Sequence, residues 1–170
     1  MTTPLSRWRT SLGFGVHSPF AFRFIREVLR ERRCAYYAYT DIAADISKEP
    51  HAAMTLRQAL LLYRVVIDLQ PRAAFVDHGC LGADAATIVL RHAGVPIVSD
   101  AAEADFYFGI TPPPTQPLYT FISAPGKRRR YSRRRKATPH LRGQVFVNAR
   151  GTVIAVNKPG FVSKMYKIWF

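Results

Sequence analysis

The residues best equipped for chemistry cluster at Asp77-His78-Gly79-Cys80-Leu81-Gly82. The turn closes a short apolar strand, Ala73 to Asp77, and opens a small-residue helix, Ala83 to His92. Glycine in such a turn lets the backbone approach a ligand, and the helix N-terminus adds N–H groups that have no partner within the helix. A carboxylate after the next strand can then hold ribose hydroxyls. Asp100 stands 21 residues beyond Gly79, after the apolar stretch Val95 to Ser99. Strand, turn, helix, strand and acid thus follow the order of a nucleotide-binding α/β unit, with Asp77, Gly79, Cys80, Gly82 and Asp100 as candidate binding residues. Plainer roles compete: Asp77 and Gly79 simply shape the turn, and Asp100 caps the stretch Ala101-Ala102-Glu103. His78 carries a ring that titrates near neutrality, but a side chain beside a strand end equally serves structure. No general base stands out.

The other reactive side chains point less far. Five histidines and two cysteines show no metal-ligand spacing, so no metal site is expected. Cys34 and Cys80 make no disulfide framework, which suits reduced thiols in a cytoplasmic protein. His17 and Ser18 could line a cofactor site, although Ser18 already has a capping position. Tyr36, Tyr37 and Tyr39 form either a lid over a ligand or packing beneath a sheet. The formal net charge of +14 is concentrated in one run: Lys127, Arg128, Arg129, Arg130, Arg133, Arg134, Arg135 and Lys136. This run reads as a solvated loop, a phosphate-binding patch for nucleic acid, or a membrane-surface contact. Tyr131 is its only aromatic, which gives base stacking little support.

These residues need a scaffold. The chain has 170 residues and is 48% apolar, enough for one sizeable core. No run approaches the length of uninterrupted apolar sequence that a transmembrane helix needs, and Met1 to Arg9 lacks a secretory signal pattern. Residues 1–17 read as an arm. Ser18-Pro19 then opens a helix, with Ser as N-cap and Pro at the first helical position, extending to about Arg33. A polar linker follows the segment Cys34 to Tyr39 and runs to His51. Thr55 and Gln58 form a capping box for a helix from Leu56 to Leu69, too apolar for one narrow stripe and stopped by Pro71. After the turn unit come strands at Ala104 to Ile110 and Leu118 to Ile122, separated by a proline-rich loop. Gln144 to Asn148 and Thr152 to Asn157 flank Arg150-Gly151 as a hairpin, and a last strand spans Lys164 to Phe170. The expected organisation is an N-terminal helical arm and linker, 1–54, packed on an α/β core, 55–170.

Two segments carry a family resemblance. Val76-Asp77-His78-Gly79-Cys80-Leu81-Gly82-Ala83-Asp84-Ala85 resembles the glycine-rich motif I of class I S-adenosylmethionine-dependent methyltransferases, and Asp100 matches their motif II acid. The leader GFGVHSPFAFRFIREVL (residues 13–29), with Tyr36 to Tyr39, is similar to that of a bacterial O-methyltransferase-like group whose chains open with an HSPF box. GTVIAV (151–156) with KMYKIWF (164–170) resembles the closing antiparallel hairpin of the same fold. The resemblance implies a reduced Rossmann-like α/β fold: a mainly parallel sheet, helices on its faces and a C-terminal antiparallel hairpin. It implies S-adenosylmethionine as cofactor and, in an active member, transfer of a methyl group to a small-molecule acceptor. The sequence also departs from the family. Leu81 occupies the central glycine of motif I in one alignment, and the stretch between Asp100 and the strand at Ala104 lacks the helix, strand and helix that carry adenine contacts in full members. Gly109-Ile110-Thr111 stands where an acid is expected. These departures point to a degenerate member or to a non-catalytic module that contacts nucleic acid or another polyanion through 127–136.

Overall fold

The computed structural model describes residues 4–13, 15–30, 38–49, 53–111, 113, 115–123, 141–148 and 151–169. Helix α1 (Pro4–Ser11) replaces the irregular arm expected there. Leu5, Trp8 and Leu12 recur at helical spacing, and Pro4 sits at the first helical position, where its missing N–H costs nothing. Helix α2 (Pro19–Arg23) starts as the sequence requires, with the Ser18 side chain accepting the Ala21 N–H at 3.2 Å. It continues as a π-helical turn over Phe24–Leu29, closed by the Arg30 N–H donating to the Ile25 carbonyl. The aromatic segment Cys34 to Tyr37 and the end of that helix near Arg33 fall outside the described residues. Helix α3 (Ala38–Lys48) occupies most of the expected polar linker. Its buried Ile42 and Ile46, four residues apart with Tyr39 one turn earlier, form a stripe that composition alone obscured. Helix α4 (Leu56–Leu69) has the capping box, with the Gln58 N–H donating to Thr55 Oγ1 at 3.3 Å and the Thr55 N–H donating to Gln58 Oε1 at 3.2 Å. It ends on Gln70 in the left-handed region and buries residues on several sides, among them Leu61, Leu62, Tyr63 and Val65.

Strand β1 (Ala74–Val76), helix α5 (Ala83–His92), and strands β2 (Phe106–Gly109) and β3 (Tyr119–Ile122) follow. Strands β4 (Gln144–Asn148), β5 (Val153–Val156) and β6 (Lys164–Ile168) complete one six-stranded sheet in the order β1-β2-β3-β5-β4-β6. Five strands run the same way and β5 alone opposes them. The expected hairpin is β4–β5. Strand β6 is not its second arm: it pairs parallel with β4, with Phe146 opposite Tyr166. The expected strand Val95 to Ser99 shrinks to a single parallel bridge between Ile97 and Ala74. Pro96 cannot donate to a ladder, so β1 receives only the Val98 N–H on its outer side and gives its Ala74 N–H to the Pro96 carbonyl.

Side chains alternate across a strand, so register assigns each residue to a face. Ala74, Val76, Phe106, Phe108, Phe121 and Phe146 share one face and one core with buried residues of α2, the π-turn, α3, α4 and α5. The helices α2 to α5 thus pack on one face rather than on both. Phe24 from the π-turn meets Phe146 of β4 at 5.0 Å between ring centroids. The opposite face holds Ile122, Val145, Val147, Val153 and Ala155 in a second cluster. Phe75, Tyr107 and Gly109 continue that face across β1 and β2. Five phenylalanines, Phe24, Phe106, Phe108, Phe121 and Phe146, are completely buried. Losing one such ring costs about 3–5 kcal/mol.

Candidate functional site

After β1 the chain turns at the edge of the sheet where the parallel strands end. The Asp77 N–H prolongs the ladder by donating to the Phe108 carbonyl, 2.9 Å away. The Asp77 side chain then folds the turn: Oδ1 accepts the Gly79 N–H at 3.0 Å, while the Asp77 carbonyl accepts the Cys80 N–H. A Cβ on Gly79 would sit 3.2 Å from that same oxygen, so the short approach favours glycine. Gly82 adopts φ 92° to launch α5, a left-handed conformation that side chains disfavour. Leu81, at the centre of the turn, points outward and is 58% exposed.

Cys80 is buried behind the turn. Burial, and then the neighbouring charge of Asp77, push its thiol up to about 11. At neutral pH it is a protonated, weakly nucleophilic group, so Cys80 lines the turn and supplies no nucleophile.

Tyr107 is the functional-looking side chain that spacing alone did not reveal. It lies on β2 beside β1, nearly fully buried, with its ring stacked on Phe75 at 5.8 Å. Its hydroxyl lies in the neighbourhood of Thr111 and Asp77. Burial is the main reason its phenol titrates above the ordinary range; Thr111 opposes the shift, and the charges of Asp77 and Cys80 reinforce it. The phenol therefore stays protonated and can donate a hydrogen bond. Gly109 makes room for it, because a Cβ there would lie 2.6 Å from the Tyr107 hydroxyl oxygen. That steric demand accounts for glycine where an acid was expected. Alternation in Phe106-Tyr107-Phe108-Gly109 was the available signal, but only strand pairing brings Tyr107 to Asp77.

Asp100 lies beyond Ile97 and is exposed. Its Oδ1 accepts the Ala102 N–H at 2.8 Å and its carbonyl accepts the Glu103 N–H at 3.2 Å. It holds a turn at 101–103, so the local structural role is real, though no helix follows for it to cap. Asp77, Gly79, Cys80, Gly82 and Asp100 thus gather at the same edge of the sheet, with both carboxylates already engaged in their own turns. His78 is exposed beside the turn.

His17 and Ser18 lie elsewhere. They open α2, whose Phe20 packs on Phe161 in the loop entering β6, toward the opposite edge of the sheet. Tyr39 meets Tyr63 edge-on at 5.9 Å between α3 and α4, a packing contact. Tyr36, Tyr37 and the basic run Lys127 to Lys136 fall outside the described residues. Among the described residues, no group of three or more His, Cys, Asp or Glu side chains could hold a metal ion. No helix among them is long and apolar enough to cross a membrane.

The groups available are thus the Asp77 carboxylate, the Tyr107 phenol near it, a neutral thiol and the start of α5, at the end of the first strand. Comparison with protein-family models, curated proteins and solved structures finds no match.

Proposed function

We propose that this chain is a shortened class I methyltransferase-like protein of reduced Rossmann-like type, whose S-adenosylmethionine site is vestigial and whose present role is binding rather than methyl transfer. The observation that carries the reading is the reversal of connection around β1, whose neighbours on both sides run parallel to it. The chain leaves β1 through α5 to Ile97 on one side, then crosses back to β2 on the other. In open α/β sheets ligands bind outside the strand ends at such a switch point, and the Asp77 to Gly82 turn lies at this one.

The residues there do not fit the whole cofactor. The Asp100 and Asp77 carboxylates each hold their own turn. From Asp100 the chain reaches β2 through the 101–103 turn alone, which leaves no helix, strand and helix to supply the adenine contacts that the resemblance implies. No methyl-transfer step is therefore assigned to these residues.

Calorimetric titration with S-adenosylmethionine and S-adenosylhomocysteine tests this reading. Dissociation constants weaker than about 1 mM are expected for both. Saturable micromolar binding, abolished by Asp100→Ala, would overturn the vestigial reading and restore a working cofactor site.

A further inference from the structure

We infer that α1 and the edge strand β6 form a contact surface for anionic lipid membranes. All eleven acidic residues lie between Glu27 and Asp105. The segments before and after that window contain arginine and lysine but no acid. In the fold, the acid-free segments supply α1, α2 and strands β2 to β6; among the described residues Arg9 on α1, Arg142 just before β4, and Lys164 and Lys167 on β6 put positive charge at the β6 side of the sheet.

At that end, large apolar side chains stand in water. Trp8 on α1 is 55% exposed and Trp169, just beyond β6, is 47% exposed; Leu5 and Met165 are exposed beside them in sequence. The Trp169 N–H donates to Ser11 Oγ at 2.8 Å, and α1 packs against β6, so helix and strand form one surface. Exposed Arg9 belongs to α1, and half-buried Lys167 shares the Met165 face of β6, while Lys164 lies on the other face over the Tyr166 ring. Indoles and aliphatic chains next to lysine and arginine match an interfacial contact: the apolar bodies enter the acyl boundary and the cations meet headgroup phosphates. Each cation adds attraction to an anionic surface. Aliphatic Leu5 and Met165 contribute nothing to stacking on bases or to phosphate binding, which favours a bilayer over nucleic acid.

The chain contains two tryptophans, both in this surface, so its tryptophan emission reports on this surface alone. The test uses the full chain with vesicles of phosphatidylcholine, alone or with about a quarter phosphatidylglycerol. The chain should float with the anionic vesicles, its emission should shift to the blue, and acyl-brominated lipids should quench it. Lys167→Gln should lower partitioning about fivefold. Leu5→Ser with Met165→Ser, at exposed positions that leave the Ser11 contact intact, should lower it roughly tenfold or more. A chain with Lys127 to Lys136 neutralised should keep the blue shift. Three results would overturn the inference: no flotation, flotation with unchanged emission, or an emission shift produced by single-stranded oligonucleotides instead of vesicles. A concentration-dependent dimer that shields both indoles from acrylamide would also overturn it. Quenching of the unmodified chain keeps the test decisive even if a variant fails to fold.

Discussion

Gly109→Ala offers the sharpest check on the geometry of the β1–β2 edge. The new Cβ would lie 2.6 Å from the Tyr107 hydroxyl oxygen, 2.7 Å from Cε1 and 2.9 Å from Cζ. Comfortable contacts lie near 3.5–4.0 Å, so the overlap is about 1 Å against a rigid ring. The ring has little freedom to move: it stacks on Phe75 and is 4% exposed. Overpacking of this kind costs about 1–3 kcal/mol. Replacing glycine recovers roughly 0.5–1 kcal/mol through the unfolded chain, because Gly109 has no positive φ to preserve. The net expectation is a loss of about 1–2 kcal/mol, read as a lower urea midpoint by circular dichroism. In a Tyr107→Ala background the clash disappears, so the same substitution should become neutral or stabilising. A wild-type midpoint for Gly109→Ala, or an equal cost in both backgrounds, would refute the packing described for Tyr107.

Other perturbations address the scaffold and the thiol. Thr55→Ala removes the hydroxyl that accepts the Gln58 N–H and should cost about 1 kcal/mol in urea unfolding, with Thr55→Ser restoring most of it. Asp45 receives hydrogen bonds from His92 and Lys48, which hold its carboxyl below the ordinary range. A depressed carboxyl stabilises the fold above its unfolded pKa and loses that contribution as pH falls through the lower folded value. The melting temperature of the wild type should therefore exceed that of Asp45→Asn at neutral pH, and the gap should close below about pH 4; a gap that persists at the acid end would contradict the assignment. With Cys34 replaced by serine, Cys80 should react with iodoacetamide at pH 8 on the order of 10²-fold more slowly than an exposed thiol, because its thiolate forms only near pH 11. A rate equal to that of free cysteine would mean that the turn does not bury the sulfur.

Local sequence determined the parts whose causes are local. Ser18-Pro19 and Thr55 with Gln58 fixed two helix starts because caps bond within one turn of chain. Pro71, the Asp77 to Gly82 turn, the helix after it and the β4–β5 hairpin were legible for the same reason. Residues 4–11 and 38–48 carried readable stripes, Leu5-Trp8 and Ile42-Ile46, hidden by polar and aromatic surroundings. Tertiary structure decided what depends on neighbours distant in sequence. Apolar content at Val95 to Ser99 suggested a strand, yet Pro96, with no outer partner among the described residues, left one bridge. Strand β6 lies parallel to β4 because pairing across a sheet follows which faces must be buried, not the shortest connection. The candidate site divides along the same line. Asp77 and the glycine turn were visible as spacing, whereas Tyr107 joined them only when β2 paired beside β1, since a side-chain contact across strands is set by register.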